Sequence, residues 1–444
     1  MTAIVELLNR IFATDFATCK NGNQFRERFF ERALGIEDLQ AVFELINAST
    51  ATLGGRAIPG ALLIKGKESK RAPFAILAQL HGNEPAGQAG ILFAMALAQA
   101  GLLEGDVLAL VGNRLAAAQY YASYAANPKT RQETRDPYRC GLADDGSLLP
   151  DLNRIPVDFL SSKATDAHTK RAQELWEAAQ HISGILDIHS ARGNMVCITD
   201  HKRDTDLKHS PIRPVLVELA EAISANASGA VTVQTLKTIL HPLENIQCQT
   251  GIEAGRHEHP DAPLIAASFT LSTLFSLGLT KVKPQLVKDD GIFRGYRVRP
   301  RMTYADLNAH GKVKEGDMVY MATACTQPHS IPPRADRVVV KNKSGKYELQ
   351  TILEYILTPK GNLAYAIYQF DEMEVIGKGD VVAVAVPSGA YFTAPHDFAG
   401  IFFSKSGSLY TKDPAVGPWP LAADKLGNTK FCYPCEQFEL KLAF

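Results

Sequence analysis

The chain has 444 residues, with 47 Lys or Arg against 47 Asp or Glu, so its formal net charge is zero. A balanced chain has no global field for capturing nucleic acid or an acidic membrane, and no nucleic-acid partner is expected. A hydrophobic content of 46% with 21% charged residues is globular and argues against disorder. The length suggests roughly two to four domains.

The first residues, Met1-Thr2-Ala3-Ile4-Val5-Glu6, lack a basic start followed by an apolar run, so no signal peptide is read there. Residues 1–55 read as helical. Apolar residues recur at Ile4, Leu7, Leu8 and Ile11, and again at Leu39, Val42, Phe43 and Leu45. Gly54-Gly55 and Pro59-Gly60 break the pattern.

From about 60 to 282, strand-like and helix-like segments alternate. Ala61 to Ile64, Phe74 to Leu80 and Asp106 to Val111 are short apolar runs, and Gln88 to Ala100 is a helical stretch. Residues 116–149 show no clear periodicity and read as a long functional loop or insertion. Lys170 to His181 reads as a helix, and Gly184 to Ile188 as a short buried strand. Val231 to Leu236 and Gly251 to Glu253 are further strands. Ala262 to Leu279 carries no charge and is long enough to be checked as a membrane span. Its five Ser and Thr residues and Pro263 favour a buried helix, so no membrane partner is expected. Such alternation predicts an α/β domain with a largely parallel or mixed central sheet.

From 284 onward the texture becomes β. Arg337 to Lys341, Leu363 to Phe370 and Asp380 to Val386 are strand-like, separated by turn signals. Lys314-Glu315-Gly316-Asp317-Met318-Val319 is echoed by Gly377-Lys378-Gly379-Asp380-Val381-Val382, read as two similar hairpins rather than a duplicated barrel. The expected domains are therefore a helical segment at 1–55, an α/β domain at 56–283 and a β-rich domain at 284–444.

Seven cysteines stand at 19, 140, 197, 248, 325, 432 and 435. They point to reduced thiols and a cytoplasmic location. The lone pair Cys432 and Cys435 lacks the second pair of a zinc ribbon and reads as structural.

Four local motifs carry chemistry. His81-Gly82-Asn83-Glu84 follows an apolar strand and precedes a helix, at a sheet edge where α/β proteins build sites. Imidazole nitrogen and carboxylate oxygen are ordinary zinc ligands. His189 ends the apolar strand that starts at Gly184 and is the best third ligand. Asp187 is a candidate to orient that imidazole, if the strand twists or ends there. Glu253, in Thr250-Gly251-Ile252-Glu253-Ala254-Gly255, is a carboxylate on a short glycine-flanked strand and a candidate general base. Asn153 and Arg154, in Pro150-Asp151-Leu152-Asn153-Arg154, offer an amide and a planar fork suited to a substrate carboxylate. A surface ion pair between Asp151 and Arg154 is the alternative for that segment.

The order H-G-N-E, D-L-N-R, D-x-H, E-x-G resembles the succinylglutamate desuccinylase/aspartoacylase family, which is related to the zinc carboxypeptidases. The segment Asp187 to Cys197 is similar to the aspartoacylase stretch after its third ligand. The match covers residues 60–280. The resemblance implies a zinc-carboxypeptidase-like domain with a central mixed sheet flanked by helices, followed here by the β-rich domain. It implies one zinc per chain held by His81, Glu84 and His189, Glu253 as general base and acid toward metal-bound water, and Asn153 with Arg154 on a substrate carboxylate. The family has an arginine a few residues before D-L-N-R that polarises the scissile carbonyl. That register is broken here, and Arg139 is preferred to Arg135. Arg192, Arg256 and His257 are further candidates to line the pocket.

The expected activity is removal of an acyl group from an N-acylated amino acid or a similar small carboxylate-bearing amide. The alternative is a zinc metallocarboxypeptidase acting on peptides. A third reading, a non-catalytic zinc-binding protein, predicts loss of the base or a ligand, and all are present. The sequence is compatible with a monomer or a homo-oligomer.

Overall fold

The computed structural model describes residues 2–69, 71–128, 137–154, 166–191, 196–200, 230–233, 248–284, 292–298, 302–332, 335, 337–367, 370, 374–401, 421–423, 426 and 429–441. The chain divides into two compact units, Met1–Arg297 with Gln437–Phe444, and Val298–Glu436.

The first unit opens with three helices, α1 (Thr2–Phe12), α2 (Gly22–Phe30) and α3 (Ile36–Asn47). Each buries one stripe: Ile4, Leu7, Leu8 and Ile11 in α1, Phe25 and Phe29 in α2, and Leu39, Val42, Phe43 and Ile46 in α3. A hairpin of β1 (Thr50–Leu53) and β2 (Arg56–Pro59) follows. The chain then runs through β3 (Ala61–Ile64), β4 (Phe74–Ala78), α4 (Gly87–Gln99), β5 (Val107–Val111), α5 (Arg114–Ala126), α6 (Ala167–Ala179), β6 (Gly184–Ala191), β7 (Val196–Asp200), β8 (Ala230–Val233), β9 (Cys248–Arg256), α7 (Ala262–Ser276) and β10 (Ile292–Val298).

The strands form a mixed sheet in the order β10-β8-β7-β9-β6-β4-β5-β3. Strands β5, β4, β6 and β9 run parallel. Strand β3 is antiparallel to β5, and β7 is antiparallel to β9. Alternation along the strands covers both faces. Ile76, Ala78, Leu186, Ile188, Ile252 and Ala254 belong to the core that includes α4, α7 and the N-terminal helices. Ala75, Leu77 and Ile185 belong to a second core with Leu175 of α6. The result is an α/β architecture with a mixed sheet flanked by helices.

Helix α5 corrects the expectation of an irregular segment from 116. The segment Arg-Leu-Ala-Ala-Ala-Gln-Tyr-Tyr-Ala-Ser-Tyr-Ala-Ala has no sharp apolar stripe, so the helical period is faint. Alanine content and an N-cap supply the helix instead. The Asn113 side chain accepts from the Ala116 amide at 3.1 Å. The uncharged stretch at 262 forms the 15-residue helix α7, and among the described residues no helix is long and apolar enough to cross a membrane.

The second unit holds strands β11 (Met302–Thr303), β12 (Asn308–His310), β13 (Met318–Ala324), β14 (Arg337–Asn342), β15 (Tyr347–Thr351), β16 (Gly361–Ile367), β17 (Glu374–Ile376), β18 (Val381–Val386), β19 (Tyr391–Thr393), β20 (Phe398–Ile401), β21 (Leu421–Ala422) and the first half of β22 (Lys430–Lys441), with the short helix α8 (Ile352–Leu357). Its main sheet runs β12-β19-β18-β13-β16-β14-β15, with β21 also on β13. The sequence echo is a shared turn. The Lys314 amide donates to Asp317 and the Gly377 amide to Asp380, each at 2.7 Å, and the following strands β13 and β18 pair antiparallel. Cys432 and Cys435 lie buried on β22, and neither is in a disulfide among the described residues.

Candidate active site

Strand β4 is buried along its whole length and ends at Ala78. The chain then turns sharply through Gln79, at φ +53°, into Leu80-His81-Gly82-Asn83-Glu84 and helix α4. Gly82 is required by close approach. A Cβ there would meet the Ala116 carbonyl carbon at 2.3 Å and the Tyr138 carbonyl oxygen at 2.5 Å. The Gly82 amide donates to the Arg139 carbonyl at 3.0 Å. This loop brings His81 and Glu84 to one point at the C-terminal edge of the sheet.

His189 lies near the C-terminal end of the neighbouring strand β6 and meets them there. His81 Nδ1 lies 2.9 Å from Glu84 Oε1, and His189 Nδ1 lies 2.8 Å from Glu84 Oε2. The two Nδ1 atoms are 3.1 Å apart. All three residues are buried, and their ligand atoms lie within 4.8 Å of one another. Two imidazoles and a carboxylate converging in a dry place are a donor set for a borderline-soft divalent cation.

The rear nitrogens of both rings face carboxylates. His189 Nε2 lies 3.0 Å from Asp187 Oδ2. Residues 187 and 189 are two apart on β6, so plain alternation puts them on one face and no twist is needed. His81 Nε2 lies 3.2 Å from Asp151 Oδ1. Sequence reasoning treated Asp151 only as a surface ion-pair partner. Asp151 is instead buried, and its Oδ1 also accepts from the Asn153 amide at 2.8 Å. A carboxylate within three residues of the Asn-Arg pair was the available signal, and nothing local tied it to His81.

Arg139, one of the two arginines considered, reaches the cluster. Its Nη1 donates to Glu84 Oε1 at 2.9 Å, and its Nη2 lies 2.8 Å from His81 Nε2. Asn153 is buried on a short turn, Leu152–Arg154. The Arg154 side chain, Arg135 and Arg192 lie outside the described residues. Arg256 is exposed. His257 is buried, with Nδ1 2.8 Å from Ser190 Oγ.

Glu253 on β9 is the direct register partner of His189 on β6. Its Oε2 is buried with no hydrogen-bond partner among the described residues. Burial, reinforced by the negative charge of Glu84, pushes its pKa up to about 8. Burial acts on Glu84 in the same upward direction, but the His81 and His189 rings override it and hold its pKa well below the usual carboxylate range. Burial lowers the pKa of His189, yet Asp187 and Glu84 raise it well above the usual histidine value. Two neighbouring carboxyls are thus driven in opposite directions. One is committed to the charged form, and the other is poised to exchange a proton near neutrality.

The fold and the donor set define a candidate metal centre at the strand ends of a mixed α/β sheet. No family model and no curated protein matches the chain. Among solved structures, the chain is similar to a succinylglutamate desuccinylase from a Silicibacter species, at 12% identity over 78% of this chain and 88% of that one, with a TM-score of 0.41. It is similar to murine aminoacylase 3, at 15% identity over 85% and 99% of the two chains, with a TM-score of 0.39. It is also similar to a succinylglutamate desuccinylase/aspartoacylase from Rhodobacter sphaeroides, at 17% identity over 79% and 93%, with a TM-score of 0.39.

Proposed function

We propose that the chain is a zinc-dependent hydrolase that removes the acyl group from an N-acylated amino acid or a related small amide bearing a carboxylate. One observation carries this reading: three buried ligand atoms converge within 4.8 Å, with the buried carboxyl oxygen of Glu253 on the adjoining strand.

His81, Glu84 and His189 would hold one zinc. The donor set fits it, because two neutral nitrogens and one anionic oxygen leave a coordination position open. When bound, zinc supplies Lewis-acid polarisation of a carbonyl and acidifies water. Asp187 holds the His189 imidazole with one nitrogen facing the cluster, and Asp151 and Arg139 together flank the rear nitrogen of His81. Glu253 Oε2 accepts a proton from the attacking water and returns it to the departing amine, so that amide and water become acid and amine. Arg139 stabilises negative charge on the scissile carbonyl oxygen. Asn153 and Arg154 grip the substrate carboxylate and fix the amide against Glu253.

Metal content and hydrolysis measured together test the proposal. The panel is N-acetyl, N-succinyl and N-formyl amino acids beside short peptides. About one zinc per chain with cleavage of acylated amino acids is expected, following the four-coordinate rule for such sites. Cleavage of peptides alone would replace this reading with the carboxypeptidase one. Zinc-free protein after growth and reconstitution with the metal would sink the ligand assignment.

A further inference from the structure

Gln79 stands between the end of β4 and His81, at φ +53°, and among the described residues Ala13 is the only other non-glycine at positive φ. The left-handed conformation strains any residue with a Cβ, and glycine is its ordinary occupant. A fully buried glutamine here therefore carries a strain that its side chain must offset.

The amide makes three hydrogen bonds. Gln79 Nε2 donates to the Gly82 carbonyl at 2.8 Å, inside the loop between His81 and Glu84. Gln79 Oε1 accepts from Gln88 Nε2 at 2.7 Å and from the Tyr121 hydroxyl at 3.3 Å. A backbone carbonyl only accepts, so Gly82 fixes which end of the amide faces it. Gln88 lies on α4 and Tyr121 on α5, so one side chain ties the loop to two helices. The Tyr121 ring packs against Phe43 of α3 at 5.2 Å. Burial raises the phenol pKa well above its usual value, so the hydroxyl stays a donor.

We propose that Gln79 is a positioning residue for the metal cluster, its amide holding the Gly82 carbonyl so that His81 and Glu84 converge on His189. The inference rests on the reading of those three residues as zinc ligands. Gly82 is then clamped from both sides, through its carbonyl by Gln79 and through its amide by the Arg139 carbonyl. Without the Gln79 amide, Gly82 is held through its own amide alone, its carbonyl is released, and the spacing of the two ligands is no longer fixed from both sides.

Gln79→Gly separates positioning from folding, because glycine relieves the strain while deleting all three side-chain bonds. Zinc affinity is read by competition with a chromogenic chelator, and thermal unfolding is followed on chelator-stripped protein. The stripped variant is expected to fold with a lowered unfolding midpoint, since buried groups of Gln88 and Tyr121 lose their acceptor, while its zinc affinity at a temperature where it is fully folded falls about 10- to 100-fold, the usual effect of losing a group that orients ligands. Gln88→Leu leaves the Gln79 backbone alone, removes one anchor of the amide, and is expected to show a smaller loss of affinity in the same direction. Wild-type zinc affinity in Gln79→Gly overturns the proposal. If that variant does not fold, unchanged affinity in Gln88→Leu overturns it instead. A wild-type protein that takes up no zinc overturns the ligand assignment itself, a result distinct from either.

Discussion

His189 and Glu253 face each other across the parallel pair β6–β9. Their neighbours Ile188 and Ile252 pair in the row before and point into the helical core. Alternation therefore turns both His189 and Glu253 to the opposite face. A nitrogen of the His81–Glu84–His189 cluster and the Glu253 carboxyl are thus placed side by side by strand register alone. This makes Glu253→Gln a clean test, because the amide keeps the shape and loses the proton acceptor. Hydrolysis of acylated amino acids should fall by about 10²- to 10⁴-fold, the range for losing a general base. Zinc content should stay at the wild-type level. A variant that keeps its turnover would remove Glu253 from the mechanism.

The same adjacency predicts proton release. The Glu253 carboxyl sits at about 8, and the His189 ring is held protonated well above its usual range. A dication among His81, Glu84 and His189 favours the deprotonated form of both groups. Zinc binding near pH 7 should therefore expel protons. Calorimetry in buffers of different ionisation enthalpy measures how many. Glu253→Gln should release fewer than wild type, and equal release from both proteins would contradict the raised Glu253 value.

Asp151 offers a test that sequence alone did not suggest. Its Oδ1 faces His81 Nε2 and also accepts from the Asn153 amide. Asp151→Asn keeps the volume but loses the negative charge behind the ring. Zinc affinity should drop about 10- to 100-fold, as for other carboxylates behind metal-binding histidines. Chelator competition on the variant measures it, and affinity within about twofold of wild type would count against an orienting role.

What the sequence disclosed follows from the range of each interaction. His81 and His189 were legible because each follows an apolar run, where hydrophobic pattern and chemistry coincide, and Glu84 because it stands three residues after His81. Asp151 was not, because its partner His81 is 70 positions away and only the folded chain joins them. Gln79 was not, because glutamine gives no local sign of a left-handed turn. Helix α5 was hidden because alanine forms helices by propensity rather than by an amphipathic stripe. The mixed order of the sheet, with β7 antiparallel beside β9, was equally beyond local pattern.

Gly82→Ala tests the packing of the ligand loop. The added methyl would meet backbone atoms of Ala116 and Tyr138 at 2.3 and 2.5 Å, and neither belongs to a flexible side-chain end. Overpacking of this kind costs roughly 1–3 kcal/mol. The unfolding midpoint should fall, and zinc affinity should fall with it, since the loop must shift between its two ligands. A variant as stable as wild type would show that the loop is looser than these contacts describe.

Asp106 provides a pH test outside the His81–Glu84–His189 cluster. It precedes β5, and its carboxylate accepts from Lys65 Nζ at 2.9 Å, the Gly66 amide at 3.0 Å and Ser69 Oγ at 2.8 Å. Burial works to raise its pKa, but the bonds from Lys65, Gly66 and Ser69 outweigh that and hold it below the usual value. A folded-state pKa below the unfolded one, about 3.9, means that folding favours the ionised form. The stabilisation is complete above the unfolded pKa and disappears as pH falls through the folded one. Asp106→Asn should therefore be less stable than wild type at neutral pH. The gap between their unfolding midpoints should narrow as pH drops below about 4. A gap that stays constant down to pH 2 would mean that Asp106 contributes through shape and neutral hydrogen bonding rather than through its charge.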